Sequence, residues 1–472
     1  MLNNHSYFSF TYGTLSPKEM FEWAQQQGLQ ELVLTDINNT AAGIEFVRLA
    51  GEFSIRPILG VDFRNNNNQK YVALAMNNDG FTEINKHLSE HLKTGEAFAN
   101  EAPDFNHTFV IYPFEKAPQK KLSENEFVGV HPSQFIKLKF SPWRNKTNKL
   151  VLLHTNSFRH KKDYNTHRLL RAIHQNVLLS KLQESKQASL KDTYTHPEEL
   201  KKAFAEFPEI MSNTAQILEQ CQINFEFKNY KKTQNRLVWT DNGSMADDHE
   251  KIKSLCEEGL RYRYGNNPSE EVQKRLKNEL EVLEKRGFYS YFLINWDIIN
   301  YARRKNYFYV GRGSGANSLV AYLLKITDVD PIELQLYFER FMNMSRQQPP
   351  DFDVDFSWRD REDVTRYIFE RYPKAALLGS HTTFKNRAIV RELGKVLGLP
   401  ARDIDELGNP RTRPADLDEM QRLVLKYGKL IENFPHNMTI HSSGILIPEK
   451  EIHHFGGTFL PPKGFPTTHF DM

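Results

Sequence analysis

Apolar positions in the first part of the chain switch between the spacing of helices and the spacing of strands. Ser16, Pro17 and Glu19 form an N-terminal capping pattern, which predicts a helix that ends near Gly28. The alternation of strands and helices predicts a parallel α/β domain over residues 1–225. The further elements predicted in it are a strand over 31–35, a helix over 42–50 and a strand over 55–63.

A polar stretch separates this region from the next. Residues 226–248 are predicted as a linker, because they are rich in polar residues and contain the turn signal Asn242-Gly243. Leucines at helical spacing then predict a helix that ends at Gly287, and a second helix is predicted over 289–305. The chain therefore changes from mixed to mainly helical patterning at the linker.

Composition sets only broad limits on function. The chain has 472 residues, enough for two to four domains, and a net charge of +3. A charge this small predicts nothing about nucleic acid, so any binding of DNA requires a local basic surface. Cys221 and Cys256 form no CxxC motif and no disulfide framework, which favours a reduced, cytoplasmic protein. No apolar run is long enough to predict a membrane span.

Carboxylates alternate with apolar residues over 351–356, which read Asp-Phe-Asp-Val-Asp-Phe. In a strand, Asp351, Asp353 and Asp355 would share one face and repel one another unless a cation neutralised them. Carboxylates suit Mg²⁺ and two-metal phosphoryl transfer. An acidic, solvated edge strand is the structural alternative, and metal-dependent sugar transferases also use Asp-x-Asp.

A glycine-rich segment precedes the carboxylates. Residues 307–310 are predicted as a strand, 311–315 as a turn and 319–324 as part of a helix. Such a turn directs backbone N–H groups and the positive end of a helix toward an anion. Arg312 adds charge and Ser314 a hydroxyl, so the segment is predicted to hold a triphosphate.

The same glycines leave a second interpretation open. Gly311 to Ala316 fits G-x-G-x-x-A, the turn of dinucleotide-binding domains. That interpretation also needs an acid about 20 residues further on, at the end of a strand. Asp328 is the nearest acid, and it lies in a predicted turn.

A later segment predicts a helix with one basic and one apolar side. Arg387, Arg391 and Lys395 recur at i, i+4 and i+8, a stripe suited to a duplex phosphate backbone. An ordinary solvated surface is the alternative. The apolar side comprises Ile389, Leu393 and Val396.

Four ordered motifs together resemble the family-C replicative polymerases, the alpha subunits of bacterial DNA polymerase III. The resemblance extends over the whole chain. The motifs are Gly-Arg-Gly-Ser-Gly-Ala-Asn-Ser-Leu-Val-Ala-Tyr at 311–322, Ile-Thr-Asp-Val-Asp-Pro at 326–331, Phe-Glu-Arg-Phe at 338–341 and Pro-Asp-Phe-Asp-Val-Asp-Phe at 350–356.

This resemblance implies a site for template-directed DNA synthesis by two-metal phosphoryl transfer. Asp351 and Asp353 match the adjacent catalytic aspartates, which bind two Mg²⁺ ions in the complete site. Primer-template DNA and deoxynucleoside triphosphates are the implied substrates, and a proofreading exonuclease, a sliding clamp and a clamp loader are the implied partners. The positions that match or adjoin its nucleotide-binding residues are Arg312, Gly313, Ser314 and Arg340.

The resemblance also implies a domain order. A polymerase-beta-like nucleotidyltransferase palm is expected over 249–383, and a mostly helical inserted thumb over 384–455. Residues 456–472 would begin the returning palm segment. The family's third catalytic aspartate follows the thumb in a Lys-Phe-Asp motif, and Asp471 does not have that context. We therefore expect the chain to be a truncation that is inactive alone, and a non-catalytic fragment that binds DNA or subunits is the alternative.

The N-terminal region resembles the polymerase-and-histidinol-phosphatase (PHP) domain, a distorted α/β barrel. His5, Asp36 and Asp62 lie in its traces, but Asn3 and Ile37 stand where active members have histidines, and Asp62 where they have glutamate. Asparagine and isoleucine cannot replace imidazole ligands. We expect a degenerate metal site and a structural role, such as docking an exonuclease.

Overall fold

A computed structural model describes the chain at residues 1–227, 235–343, 351–409 and 417–472. Part of the predicted linker, residues 228–234, lies outside the described residues. Contacts divide the chain into two compact units, and each unit is taken separately below. The first comprises Met1–Phe225, Leu377–Gly444 and Ile452–Met472, and the second comprises Glu226–Ala376 and Ile445–Glu451.

The first unit is built on a mixed six-stranded sheet, which confirms the α/β class. The first two strands are parallel, as predicted, and so are the last three. The third strand is antiparallel to both of its neighbours, so the prediction of a parallel domain is wrong at this point. In order across the sheet, the strands are Glu31–Leu34, Arg56–Asn65, Asn68–Ala75, Thr108–Pro113, Glu126–Val130 and Leu150–Leu152.

A tight hairpin explains the antiparallel strand. Only Asn66 and Asn67 separate Arg56–Asn65 from Asn68–Ala75, and a parallel crossover needs a dozen or more residues. Asn66 has a φ of 56°, a left-handed conformation that asparagine tolerates. The run of asparagines at 65–68 was the available sequence signal for this turn.

Helices cover the sheet and bury its apolar side chains. Ser16 forms the predicted capping box with Glu19 at the start of Pro17–Gln26. Phe21, Phe46 and Phe81 lie in one buried core. A short parallel pair, Asn3–Asn4 with Thr155–Asn156, forms a separate two-stranded sheet. The helices over residues 1–225 are Pro17–Gln26, Gly43–Phe53, Asn78–Thr94, Phe135–Lys139, Lys161–Gln175, Pro197–Ala203 and Pro208–Gln220.

The later segments of the first unit add three helices and a small sheet. The helix Asn386–Leu397 buries Ile389 and Leu393 against Leu169 and Leu170 of Lys161–Gln175. The other two helices are Ala401–Leu407 and Glu419–Ile431, and the four-stranded sheet has the order Pro435–Leu446, Ala376–Thr383, Thr467–Thr468 and Thr458–Phe459.

The second unit is mainly helical. Gly287, with a φ of 69°, ends the helix Glu270–Arg286 as predicted. Phe292, Leu319 and Phe341 lie in its largest core, and a two-stranded ribbon packs against that core. Its helices are Met245–Tyr264, Glu270–Arg286, Tyr289–Arg304, Leu319–Leu323 and Arg361–Arg371, and its ribbon pairs Tyr309–Arg312 with Asp353–Phe356.

The predicted palm and thumb boundaries stay predictions. The structure places Leu377–Gly444, which contains most of the predicted thumb, in the same compact unit as the first 225 residues. Across the four described ranges, every helix is too short or too polar to cross a membrane.

Candidate active site

A two-stranded antiparallel ribbon carries the predicted metal-binding residues. Asp353 lies opposite Arg312 in the register. Val354 and Phe356 pack against the apolar core of the second unit. Asp353 and Asp355 remain about half exposed, with 41% and 58% of their side chains accessible. The predicted alternation is therefore confirmed for these four residues.

Asp351 differs from the prediction in one respect. The strand begins at Asp353, so Asp351 precedes it in an irregular segment and does not share the strand face. Asp351 is exposed. Phe352, between the two aspartates, is partly buried, and its ring lies 5.0 Å from that of Phe341. This contact holds the aspartate segment on the core while both carboxylates stay accessible.

Arg312 lies between two of the carboxylates. Its Nε donates to Asp355 Oδ2 at 2.7 Å, and its Nη1 lies 3.4 Å from Asp353 Oδ2. The hydrogen bond with Asp355 and the charges of Asp355 and Asp353 raise the pKa of Arg312. Asp355 thus positions Arg312 and leaves Asp353 the less occupied of the two carboxylates.

The glycines of the turn allow it to approach the aspartate strand. Gly313 has a φ of 71°, and a Cβ there would lie 2.6 Å from Asp353 Oδ2. At Gly315 a Cβ would lie 2.7 Å from the Phe352 ring. Side chains at these positions would separate the turn from the ribbon. The glycines therefore place Ser314 and the turn's backbone beside Asp353.

A buried carboxylate overturns one expectation about this turn. The helix Leu319–Leu323 was predicted to direct free N–H groups toward a bound anion, but Glu279 already accepts the N–H groups of Leu319 and Val320 at 2.9 and 3.1 Å. Ser318 Oγ donates to the same carboxylate at 2.8 Å. Anion binding here would have to use Gly313 and Ser314, not the helix N-terminus.

The same carboxylate connects the turn to the segment that carries Arg340. Arg275 pairs with Glu279 at 2.7 Å and donates to the carbonyls of Asn317 and Leu336. Arg340 ends the short 3-10 helix Phe338–Arg340 and is exposed. The pair of partly buried Arg275 with buried Glu279 therefore fixes the glycine turn and the segment before Phe-Glu-Arg-Phe to one helix. Sequence reasoning missed both residues, although their i, i+4 spacing was visible.

The dinucleotide interpretation does not fit this geometry. A dinucleotide-binding turn joins parallel strands through a helix. Here Tyr309–Arg312 pairs antiparallel with Asp353–Phe356, and residues Gly313–Asn317 form a 3-10 helix. The helix that follows has its first N–H groups bound by Glu279.

The residues predicted as a degenerate metal site form a sealed network in the first unit. Asp62 Oδ2 accepts hydrogen bonds from Asn3, Arg64 and Gln69 at 2.9, 2.7 and 2.8 Å, and it lies 3.0 Å from His5 Nε2. Burial opposes ionisation of Asp62, but the charge of Arg64 and the hydrogen bonds of His5 and Arg64 together outweigh it and hold the pKa of Asp62 well below its usual range. Sequence reasoning missed Arg64, although Asp62 and Arg64 alternate on one strand.

Asp36 has separate partners. Ser6 donates through its backbone N–H and its hydroxyl, and Ser9 through its hydroxyl, each at 2.7 Å. Burial nevertheless raises the pKa of Asp36 to about 6. Ile37, next to it, offers no ligand atom. Taken over the described residues of both units, no three His, Cys, Asp or Glu side chains are grouped so that they could hold a metal ion.

The helix Asn386–Leu397 has the predicted two sides. Arg387, Arg391 and Lys395 are exposed, and its apolar residues are buried. Glu392 lies among the cations, 3.0 Å from Lys395 and 3.8 Å from Arg391. This carboxylate reduces the net charge of the stripe, so its contact with DNA stays a prediction.

Together, the fold and the ribbon define a class of protein. One unit is mixed α/β, and in the other, mainly helical unit exposed aspartates lie beside an arginine and a glycine turn. That arrangement is typical of phosphoryl-transfer sites. The PHP domain family matches residues 2–126, and the family described as bacterial DNA polymerase III alpha NTPase domain matches residues 250–472.

Curated relatives agree with both families. An error-prone DNA polymerase of Symbiobacterium thermophilum is 26% identical over 100% of this chain and 49% of its own length. A DNA polymerase III subunit alpha of Bacillus subtilis is 28% identical over 96% of this chain and 45% of its own length. A third relative, the DNA polymerase III subunit alpha of Halalkalibacterium halodurans, is 32% identical over 62% of this chain and 27% of its own length.

The chain thus carries a PHP domain and a bacterial DNA polymerase III alpha NTPase domain, and it is homologous throughout to DNA polymerase III alpha subunits and error-prone DNA polymerases. It spans about half the length of the relatives that match its whole length.

Proposed function

We propose that this chain supplies the metal-binding strand and the nucleotide-binding turn of a bacterial DNA-directed DNA polymerase acting in replication or repair. The observation that supports this most strongly is the register of Asp353 opposite Arg312, next to Gly313. It puts a half-exposed carboxylate, a cation and an accessible backbone turn within one small surface.

The proposed reaction is nucleotide addition to a primer. The primer 3′-hydroxyl attacks the α-phosphate of a deoxynucleoside triphosphate, the bond to the β-phosphate breaks, and pyrophosphate leaves. Gly313 and Ser314 would hold the phosphates and Arg340 would neutralise their charge. Because little covalent chemistry falls to the protein, positioning and charge carry most of the catalysis.

The two carboxylates suit Mg²⁺, which needs few protein ligands, better than a metal ion that takes all its ligands from the protein. Asp351 and Asp353 are both accessible oxygen donors, and Mg²⁺ in such enzymes is held by one or two carboxylates together with substrate phosphates. Bound there, Mg²⁺ would neutralise charge on the reacting oxygens. Because the described residues contain no group of three suitable ligands, we propose that the 472-residue chain binds metal weakly by itself.

Primer extension by a polymerase that contains this chain tests the assignment. Asp353→Asn should lower the extension rate by about 10²-fold or more, since a metal ligand stabilises the transition state by several kcal/mol. DNA affinity, measured by fluorescence anisotropy, should change little. Asp355→Asn on the same strand removes the partner of Arg312 but no proposed metal ligand, so it should lower the rate far less than Asp353→Asn. Extension by Asp353→Asn near the wild-type rate would refute the proposal.

A contribution of the basic stripe to DNA binding is a separate part of the proposal. Arg391→Gln should weaken duplex binding. It should also reduce the slope of log affinity against log salt concentration by about one, the effect of losing one phosphate contact. Glu392→Gln should strengthen binding, because it frees Arg391 and Lys395. If neither variant changes the salt dependence, the stripe is an ordinary solvated surface.

A further inference from the structure

A cationic cavity in the first unit has no part in the site described above. Its volume is about 230 Å³, and it lies beside Tyr12 and Ile37. Arg171, Lys186 and His174 line it. None of the described residues that line it is an aspartate or a glutamate. Its chemistry therefore favours an anion.

Arg171 is the central feature of the cavity. Only 6% of this residue is exposed. Its Nε donates to the carbonyl of Lys186 at 2.8 Å, and its Nη2 donates to Asn67 Oδ1 at 3.2 Å. Within the described parts of the chain, no carboxylate forms an ion pair with it. A guanidinium this deeply buried normally needs a negative partner, because dipoles alone offset its desolvation poorly.

A neighbouring arginine, Arg64, has a carboxylate partner that Arg171 lacks among the described residues. Arg64 and Arg171 both lie over the Tyr12 ring, at 5.2 and 5.4 Å from its centre. Arg64 pairs with Asp62 at 2.7 Å. Arg171 has the same aromatic contact and lacks the carboxylate, so the pair of arginines leaves a local positive charge.

We propose that this cavity, the Arg171 pocket, binds a small oxyanion of the phosphate class without any metal. A guanidinium presents planar paired donors that match phosphate oxygens, and Lys186 adds charge from the exposed rim. The volume lies below the range of about 300–1,000 Å³ usual for drug-sized ligands, which selects phosphate or pyrophosphate over a whole nucleoside triphosphate. The inference does not depend on polymerase activity.

Isothermal titration of the 472-residue chain tests the pocket directly. Inorganic phosphate and pyrophosphate are titrated in EDTA at constant ionic strength, with chloride as the reference anion. Saturable binding is expected in EDTA. Arg171→Met should lower the affinity about tenfold or more, the effect of losing a charge-assisted hydrogen bond. Arg168→Met, on the same helix and outside the cavity lining, is the matched control and should bind like the wild type.

Three outcomes would overturn the proposal: no saturable binding by the wild type, binding only when a divalent metal is added, or equal affinity in Arg171→Met. If Arg171→Met fails to fold, the exposed Lys186→Met variant decides, and affinity equal to wild type refutes the pocket. A 5′-phosphorylated dinucleotide, compared with its unphosphorylated form, shows whether the anion is free or carried on DNA. If only the phosphorylated dinucleotide competes with pyrophosphate for the pocket, the bound anion is a phosphate group carried on DNA.

Discussion

Two arginine–aspartate pairs in this chain have equal separations and opposite surroundings. Arg64 and Asp62 lie 2.7 Å apart with 7% and 0% of their side chains exposed. Arg312 and Asp355 also lie 2.7 Å apart, with 56% and 58% exposed. In the first pair, a buried guanidinium neutralises a carboxylate at the position where the sequence predicts a degenerate PHP metal site. In the second, the carboxylate remains exposed on the strand that we propose binds metal.

The comparison shows that burial, and not distance, decides what such a pair can do. A buried charge that loses its partner cannot be rehydrated, so breaking the pair costs several kcal/mol. An exposed pair gains little over water and is easily exchanged for another ion. The same two residue types therefore close one site and keep the other available.

The largest expected effect is on stability. Arg64→Met should lower the free energy of unfolding by about 3–5 kcal/mol, because it leaves Asp62 buried beside His5 without its cation. Arg312→Met, the matched exposed substitution, should change it by less than about 1 kcal/mol. Urea unfolding followed by circular dichroism measures both. The double variant Arg64→Met with Asp62→Asn should regain much of the loss, and equal effects of the two single variants would contradict the comparison.

A second prediction concerns protons in the sealed region. His167 accepts the N–H of Ala188 at Nε2 and lies 2.7 Å from the carbonyl of Tyr12 through Nδ1. Burial lowers its pKa to about 3. Because this pKa is depressed, the unfolded chain binds the proton first, and the contribution of neutral His167 to stability is present above about pH 6.5 and is lost as the pH falls toward 3.

The measurement isolates that one histidine. Between pH 7 and pH 5, the wild type should lose about 2 kcal/mol more stability than His167→Gln, at about 1.4 kcal/mol per pH unit. The comparison with His167→Gln is needed because Asp36, whose pKa burial raises to about 6, changes stability in the opposite direction over this range. Identical pH profiles of the two proteins would show that His167 is already accessible to protons.

Local patterns predicted what depends on local sequence. The Ser16 capping box, the alternation at 353–356 and the two sides of Asn386–Leu397 were confirmed because each is set by residues within about two turns or one strand. The antiparallel strand was missed because the prediction gave no weight to the turn chemistry of Asn66 and Asn67. Glu279 was missed because it reaches Leu319 and Val320 across 40 residues of sequence.

The buried network around Asp62 was only half predictable. The loss of ligands at Asn3 and Ile37 is visible in the sequence. The guanidinium of Arg64 contacts Asp62 because of the direction its side chain takes within a buried strand. Sequence periodicity predicts which face of the strand a residue lies on, but not this direction. Sequence reasoning can therefore identify absent ligands more readily than it can identify what takes their place.

The smallest expected effect concerns how far an exposed arginine competes with metal. Arg312 lies 3.4 Å from Asp353 Oδ2, so removing its charge should strengthen the binding of a divalent cation to the aspartates. An exposed pair is worth about 0.2–1 kcal/mol, which predicts that Arg312→Gln tightens Mn²⁺ binding by about 1.4-fold to fivefold. Titration followed by the electron paramagnetic resonance signal of free Mn²⁺ measures this.

Arg359→Gln provides the matched control, because Arg359 is an exposed arginine that lies over the Trp358 ring. It should leave Mn²⁺ affinity unchanged. Arg64→Met should also leave it unchanged, for the different reason that Asn3 and Ile37 cannot complete a metal site around Asp62. Weaker Mn²⁺ binding in Arg312→Gln would mean that the guanidinium orients the carboxylates for the metal and does not compete with it. In that case the exposed pair, like the buried one, would be a fixed part of its site.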